Sequence, residues 1–337
     1  MTVTVAIVAY NEEKYISNLL DDLLNQDYDK SKMEILLIDG CSTDGTKRIM
    51  LEFANKNRSN YFNVDVLDNQ ERIQAAGWNI AIEKFSTEML IRVDAHVTLP
   101  SNFVSLNVET MKGGENICGG VRPCVIENKT QWGEILLRVE NSLFGSSINK
   151  SRHSTQKSYV KTLFHGAYRK EVFEKVGGFN KKLARTEDNE LHYRMREAGY
   201  KFCYNPSIKS YQYARSSLKK MVKQKYGNGY WIGLTMGVCP KCFSLYHFVP
   251  LGFFLAILAS SVLACFGLWQ FIAALGSLYL LFCVANTIIS SIGEKFNPFC
   301  FLMPILFFVL HFSYGLGTFL GLLLMPIKRK RLKREEK

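Results

Sequence analysis

Met89-Leu90-Ile91-Arg92-Val93-Asp94-Ala95-His96 decides how this chain is read. Its first five residues are mostly apolar and predict a buried strand. The strand ends on a carboxylate and, two positions on, an imidazole. That pair, held over a crevice, suits a divalent cation: hard cations take carboxylate oxygen, and Mn²⁺ also accepts imidazole. In open α/β sheets, ligands bind outside the carboxyl ends of the strands. Taken alone, the tripeptide reads more simply as a strand running into a turn, with His96 at the surface.

The surroundings change that reading. Upstream, strand and helix signals alternate: strands at 3–9, 34–38, 62–67 and 89–93, helices at 12–25, 46–55 and 73–84. The first helix carries Ile16, Leu19, Leu20, Leu23 and Leu24 at helical spacing. Such alternation predicts an α/β domain with a mostly parallel sheet and right-handed crossovers. Helices are expected again near 132–143, at 172–176 and at 187–198, and a basic amphipathic helix at 218–226. Residues 144–159, rich in Gly, Ser, Lys and Arg, read as a long loop. Lys150, Arg152, His153 and Lys157 suit it either to close over a ligand or to lie solvated.

The other strand ends carry chemistry too. Asp39 closes the second strand and opens Gly40-Cys41-Ser42-Thr43-Asp44-Gly45-Thr46. Helix capping explains Ser42 and Asp44 but does not require Asp39. Tyr10-Asn11-Glu12-Glu13 follows the first strand. Asn11 can cap the next helix, the glutamates suit its first turn, and Tyr10 can stack on a flat ring. Glu187-Asp188 starts a later helix, just after the turn-forming Gly177-Gly178. Asp188 can be a first-turn acid or, facing a ligand, a general base.

Composition places part of the chain in lipid. The 337 residues carry a formal net charge of +12, with no Asp or Glu between Glu197 and Glu294. Apolar stretches at 248–267, 268–289 and 298–325 hold no charged residue and approach or exceed the ~20 residues a helix needs to cross hydrocarbon. Basic residues flank them, so an anionic lipid surface, rather than nucleic acid, is the expected partner. The start of the chain has no signal-peptide pattern, so the head is expected in the cytosol. Three full spans would then put the basic tail from Lys328 onward outside, against the positive-inside tendency. The Pro- and Gly-containing segment 298–325 is the one expected to be re-entrant or interfacial. The nine cysteines are scattered; Cys239-Pro240-Lys241-Cys242 lacks a second pair and reads as a structural turn. The expected layout is a catalytic domain over 1–214, an interface segment over 215–247, a transmembrane region over 248–327 and a basic tail over 328–337.

These pieces together resemble inverting glycosyltransferases of family 2, and most closely the membrane-anchored enzymes of succinoglycan-type exopolysaccharide assembly. The matching stretches are Ile7-Val8-Ala9-Tyr10-Asn11-Glu12-Glu13, Ile38-Asp39 through Thr46, Arg92-Val93-Asp94-Ala95-His96, Phe164-His165-Gly166-Ala167-Tyr168-Arg169-Lys170, Val176-Gly177-Gly178-Phe179, Thr186-Glu187-Asp188-Asn189-Glu190-Leu191 and Gln224 through Trp231. The resemblance implies the GT-A nucleotide-diphospho-sugar transferase fold, a Rossmann-like sheet, followed here by C-terminal transmembrane helices. It implies that Ala9, Tyr10 and Glu12 line the nucleotide pocket, with Asp39 on uracil or ribose and Asp68 near the base. Asp94 would hold the ribose and metal-bound diphosphate, and His96 would ligate Mg²⁺ or Mn²⁺. Asp188 would be the catalytic base, with Glu187 among the substrate-binding residues and Gln224 and Trp231 on the acceptor side. The implied reaction moves a sugar from a nucleotide-sugar donor, a UDP-sugar, to a lipid-linked saccharide in cell-surface glycan synthesis. Transfer to a bare polyprenyl phosphate, or a non-catalytic membrane scaffold, are the alternatives. Val8 departs from the proline common in the first motif. His96 stands where many relatives have a second Asp, which leaves Mg²⁺ against Mn²⁺ open. Gly229-Tyr230-Trp231 replaces the Arg-Trp pair of polymerising synthases.

Overall fold

The computed structural model describes residues 1–127, 129–145, 155–214 and 217–334. In chain order the elements are β1 (Val3–Ala9), α1 (Glu13–Leu24), β2 (Met33–Asp39), α2 (Thr46–Asn57), β3 (Asn63–Asp68), α3 (Gln74–Lys84) and β4 (Met89–Asp94). Then come β5 (Val97–Thr98), α4 (Phe103–Lys112), β6 (Ile117–Val121), β7 (Cys124–Val125), α5 (Gln131–Asn141), β8 (Ser158–Val160), β9 (Ala167–Arg169) and α6 (Lys170–Val176). The series ends with α7 (Glu187–Glu197), β10 (Phe202–Lys209), β11 (Tyr211–Tyr213), α8 (Leu218–Thr235), α9 (Val249–Cys265), α10 (Gln270–Ile289) and α11 (Met303–Arg334).

The chain divides into two compact units. The first, Met1–Pro123 with Ser151–Tyr213, is built on an eight-stranded sheet of order β3-β2-β1-β4-β9-β6-β10-β8. The first four strands in that order are parallel, and β9 runs antiparallel to both β4 and β6. Strand alternation explains the two-sided core. Val3, Val5 and Ile7 of β1 pack with Ile16, Leu19 and Leu23 of α1 on one face, while Ala6 joins Trp78 of α3 and Leu191 of α7 on the other. All seven residues of β2 are buried, as expected of a parallel strand covered on both faces. Between β1 and β4 the strand order reverses direction. This switch point opens a crevice at the carboxyl ends of the strands.

The second unit is Cys124–Lys150 with Ala214–Lys337. It takes in Cys124–Lys150, which lies within the expected 1–214 stretch. The apolar face of α5 (Ile135, Leu136, Val139) is buried against Met221, Cys283, Met303, Leu306, Phe307 and Leu310, all of this unit. Helix α8 runs nine residues past its expected end at 226. Its glycines interrupt the amphipathic pattern in the sequence, but here they admit close packing: a Cβ on Gly229 would lie 2.1 Å from the Tyr314 carbonyl oxygen. Among the described residues, three helical stretches are long and apolar enough to cross a membrane: Leu245–Cys265, Gln270–Ile289 and Pro298–Lys328. The Cys239–Cys242 stretch forms a 3₁₀ turn, with the Cys242 thiol on the Cys239 carbonyl. Residues 146–154, most of the expected loop with its Lys150, Arg152 and His153, lie outside the described residues.

Candidate active site

Strand register brings the carboxyl ends into one row. Ala9 pairs with Asp39, Asp39 with Asp68, and Val8 with Asp94. The loops after β1 and β2 are laced together rather than capping only their own helices. The Ser42 hydroxyl accepts from the Asn11 N–H at 3.0 Å, and Asn11 Oδ1 accepts from the Thr43 N–H at 2.8 Å. Asp44 accepts from the N–H groups of both Thr46 and Glu13. Asn11 and Cys41 take left-handed backbone (φ 55° and 57°), which turns both loops sharply at the strand ends. Asp39 is fully buried. Its Oδ2 accepts from the Ser42 N–H at 3.0 Å, and its Oδ1 has no hydrogen-bond partner. Tyr10, the residue after Ala9, is half exposed, and Asp68 pairs with Lys47 at 2.8 Å at the surface.

Asp94 sits among two guanidiniums and an imidazole that burial pushes toward its neutral form. Arg92 Nη2 lies 3.8 Å from Oδ1, Arg122 Nη1 3.5 Å from Oδ2, and His165 Nε2 3.3 Å from Oδ2. Alternation along β4 puts Arg92 and Asp94 on one face. Aromatic rings hold both guanidiniums: Arg92 lies over Trp78 at 4.8 Å and Phe179 at 5.4 Å, and Arg122 over Phe164 at 3.9 Å. His165 has φ 46°, and its Nδ1 is 2.7 Å from the Ser210 hydroxyl. Burial alone would raise the Asp94 carboxyl. The His165 hydrogen bond and the charges of His165, Arg92 and Arg122 outweigh it and hold the group well below the usual carboxylate range. Oδ1 is nonetheless left without a hydrogen-bond partner.

Helix α7 delivers the second acidic pair. Arg194 grips Glu190 through two bonds, at 2.7 and 2.9 Å, and donates to the carbonyls of Val176 and Gly178. Gly177 takes φ 81° at this turn, so the turn and the helix start are fixed to each other. Glu187 is buried, and its Oε2 has no partner. Burial first, then the Asp188 charge, push its carboxyl up to about 7. Asp188 is half-buried, with Oδ1 accepting from the Asn189 N–H at 2.8 Å. Arg92 interacts electrostatically with Asp94, Asp188 and Glu187 alike. It is therefore the centre that gathers β4 and the start of α7 into one site.

His96 has different partners. Its Nδ1 is 3.2 Å from Glu12 Oε1, and its Nε2 is 2.8 Å from the Gln212 amide nitrogen. Pairing of β5 with β11 brings Gln212 there. These partners assign the ring proton to Nδ1, facing Glu12, and the lone pair to Nε2. A carboxylate behind an imidazole is the usual support for a metal-ligating histidine. Among the described residues no group of three or more His, Cys, Asp or Glu side chains could hold a metal ion. The chain offers two donors: Asp94 Oδ1, which is buried without a hydrogen-bond partner, and His96 Nε2, which would first have to release Gln212. That set fits a cation such as Mg²⁺, which keeps waters and takes further oxygens from a substrate's phosphates.

The structure thus gathers Ala9, Glu12, Asp39, Asp94, His96, Glu187 and Asp188 in the first unit. Gln224 and Trp231 are half-buried on α8 of the second. His192 is a structural residue: Tyr168 and Thr162 each hydrogen-bond one ring nitrogen at 2.8 Å. Four participants went unassigned in the sequence. Arg92 was legible from its i−2 spacing to Asp94. Arg122 and Gln212 come from distant segments and gave no local signal, while His165 lies in the matched stretch Phe164–Lys170 and reads from sequence as either a further metal ligand or a hydrogen-bonded structural residue.

The mostly parallel sheet, with its acids at the switch point, has the GT-A fold of nucleotide-diphospho-sugar transferases. The chain belongs to glycosyl transferase family 2, whose model matches residues 4–177. It is 29% identical over 325 residues to a dolichyl N-acetyl-alpha-D-glucosaminyl phosphate 3-beta-D-2,3-diacetamido-2,3-dideoxy-beta-D-glucuronosyltransferase of Methanococcus voltae, covering 95% of this chain and 97% of the relative. It is 26% identical to the succinoglycan biosynthesis protein ExoA of Rhizobium meliloti, covering 95% and 94%. Among solved structures, the mannosyltransferase PcManGT of Pyrobaculum calidifontis, in complex with GDP-Man and Mn²⁺, matches with TM-score 0.52 at 16% identity, over 97% of this chain and 86% of that one. TarS 1-349 of S. aureus, in complex with UDP-GlcNAc, matches with TM-score 0.52 at 17% identity, over 94% and 90%. At these identities the structures support the fold alone.

Proposed function

We propose that this glycosyltransferase moves a sugar, with inversion, from a UDP-sugar to a lipid-linked saccharide at the cytosolic face of a membrane, in the synthesis of a cell-surface glycan. The observation that carries the reading is the set of buried, unpartnered polar atoms on β2, β4 and the start of α7: Asp39 Oδ1, Asp94 Oδ1, Arg92 Nε and Glu187 Oε2. Buried polar groups without partners are costly and mark a place that a polar ligand completes. Asp39 takes the nucleoside, and Asp94 the ribose and diphosphate side. Asp188 accepts the acceptor hydroxyl proton while that oxygen attacks the anomeric carbon and the bond to the nucleoside diphosphate breaks. A bound Mg²⁺ or Mn²⁺ offsets the charge on the departing diphosphate. The names of the Methanococcus and Rhizobium relatives, together with three apolar helices, favour a lipid-linked acceptor.

A thermal-shift panel of nucleotide sugars with Mg²⁺ and Mn²⁺ tests the donor, since a ligand at a hundred times its Kd stabilises by about 2.7 kcal/mol. One UDP-sugar is expected to stand out; stabilisation only by nucleotides with another base would overturn the uridine assignment. Product analysis with a lipid-linked saccharide and with bare polyprenyl phosphate separates the acceptors. Because Glu12 holds the His96 tautomer, Glu12→Gln is expected to weaken Mn²⁺ binding in the presence of UDP by about 10- to 100-fold. Electron paramagnetic resonance of free Mn²⁺ measures this, and an unchanged affinity removes Glu12 from the metal's support.

A further inference from the structure

Helices α8 and α11 form a parallel, glycine-seamed pair. A Cβ on Gly229 would meet the Tyr314 carbonyl oxygen, one on Gly233 the Thr318 carbonyl, and one on Gly237 the Met325 side chain. From the other side, Gly317 abuts the Tyr226 carbonyl and Gly321 the Tyr230 carbonyl. Position rises along both helices together, so any depth assigned to α11 fixes the depth of α8 beside it.

That constraint weighs against α11 as a full span. Exposed Lys219, Lys220 and Lys223 of α8 lie level with the turns of α11 just before and around His311. The same level holds the buried Lys225–Glu140 ion pair at 3.0 Å. His311 itself donates from Nε2 to the Phe144 carbonyl and accepts at Nδ1 from the Tyr279 hydroxyl. One face of the preceding part of α11 (Met303, Leu306, Phe307, Leu310) is buried in a cluster with α5, while Ile305 and Phe308 on its other face are exposed. From His311, with its two polar partners, to Ile327 the helix measures about 25 Å, against about 30 Å of hydrocarbon.

The crossing with α9 points the same way. Phe308, Phe312, Gly315 and Phe319 of α11 all contact the first turns of α9, at Pro250, Phe253 and Phe254. About 16 Å of α11 therefore passes over about 6 Å of α9, a steep crossing rather than side-by-side packing. Beyond it, Leu258 and Val262 of α9 and Leu323 and Ile327 of α11 are exposed, so the two helices do not cover each other. Helix α9 also begins beside the middle of the α8–α11 pair. If that pair stood upright in the bilayer, α9 would have to start inside the hydrocarbon.

We infer that α9 and α10 are a two-span hairpin, and that the α8–α11 pair lies in the plane of the cytosolic membrane surface. Lys219, Lys220 and Lys223 at one end of the pair, and exposed Lys241 and Lys328 at the other, then rest among anionic headgroups. Phe266-Gly267-Leu268-Trp269, which has no charge, is the only stretch on the far side, with exposed Trp269 at that interface. The basic tail stays with the catalytic unit, which removes the conflict with the positive-inside tendency. The arrangement rests on the proposed cytosolic placement only for which side is inside.

Two measurements on the full chain test it. With a C-terminal epitope, trypsin is expected to remove the tag from sealed inverted vesicles and to spare it in intact spheroplasts. In a variant with its native cysteines replaced, Trp269→Cys is expected to react with a membrane-impermeant maleimide only in spheroplasts. Tag loss in spheroplasts with protection in inverted vesicles, while Trp269→Cys is still labelled only in spheroplasts, makes α11 a third span and overturns the inference. Labelling of Trp269→Cys only in inverted vesicles while the tag is also lost there, or labelling from neither side, overturns the two-span hairpin. If the tag and the tip are each reached only from the face opposite to that expected, the topology stands and the cytosolic placement of the head falls.

Discussion

Asp188→Asn is expected to lower kcat by about a thousandfold while leaving donor affinity nearly unchanged. The amide keeps the size of the carboxylate and can still accept the Asn189 N–H bond that orients it. It cannot take a proton from an acceptor hydroxyl. Single-turnover transfer, run beside calorimetric titration of UDP, separates the two effects; turnover within tenfold of the native chain would remove Asp188 as the base. Glu187→Gln is the companion variant. Glu187 is raised by burial and by the Asp188 charge from an ordinary value of 4.5 to about 7. Its protonated form is the one the fold accommodates. Stability from this group is thus fully present below about 4.5 and is lost as pH rises to about 7. Thermal midpoints of Glu187→Gln should lack that decline, and a pH profile matching the native chain's would overturn the buried, proton-holding role.

The contrast between those neighbours shows what the sequence can and cannot carry. Periodicity located β1 through β4, because parallel strands buried on both faces are short apolar runs and their helices repeat on one face. The same strands brought their terminal acids into one row, since in-register parallel pairing aligns carboxyl ends. Which acid is charged was not legible. Glu187 and Asp188 are adjacent in sequence, yet one is buried and the other half-exposed. Nor did spacing reveal that Asp94 is set between Arg122 and His165, which arrive from β6 and from the loop before β9. Helix α5 is the clearest tertiary effect. Its amphipathic pattern predicted a helix but could not say which unit would cover its apolar face.

Asp94→Asn is expected to cost about 3 kcal/mol of stability as well as abolishing transfer, because removing one partner of a buried charge cluster leaves the others uncompensated. Here Arg92 and Arg122 would face a neutral amide, pinned in place by Trp78, Phe179 and Phe164. The pH dependence distinguishes this loss from a packing defect. With its carboxyl held well below the usual range, Asp94 contributes stability above the unfolded value of about 3.9, and loses it as pH falls through the folded value. The gap in thermal midpoint between the native chain and Asp94→Asn should therefore be constant from neutral pH to about 4 and close at lower pH. A gap unchanged at pH 3 would mean that shape, not charge, sets the cost. Normal stability at pH 7 would remove the ion cluster as a structural element. A destabilised variant that still transfers sugar would leave Asp94 holding Arg92 and the sheet end together, and would shift contact with the diphosphate to other groups.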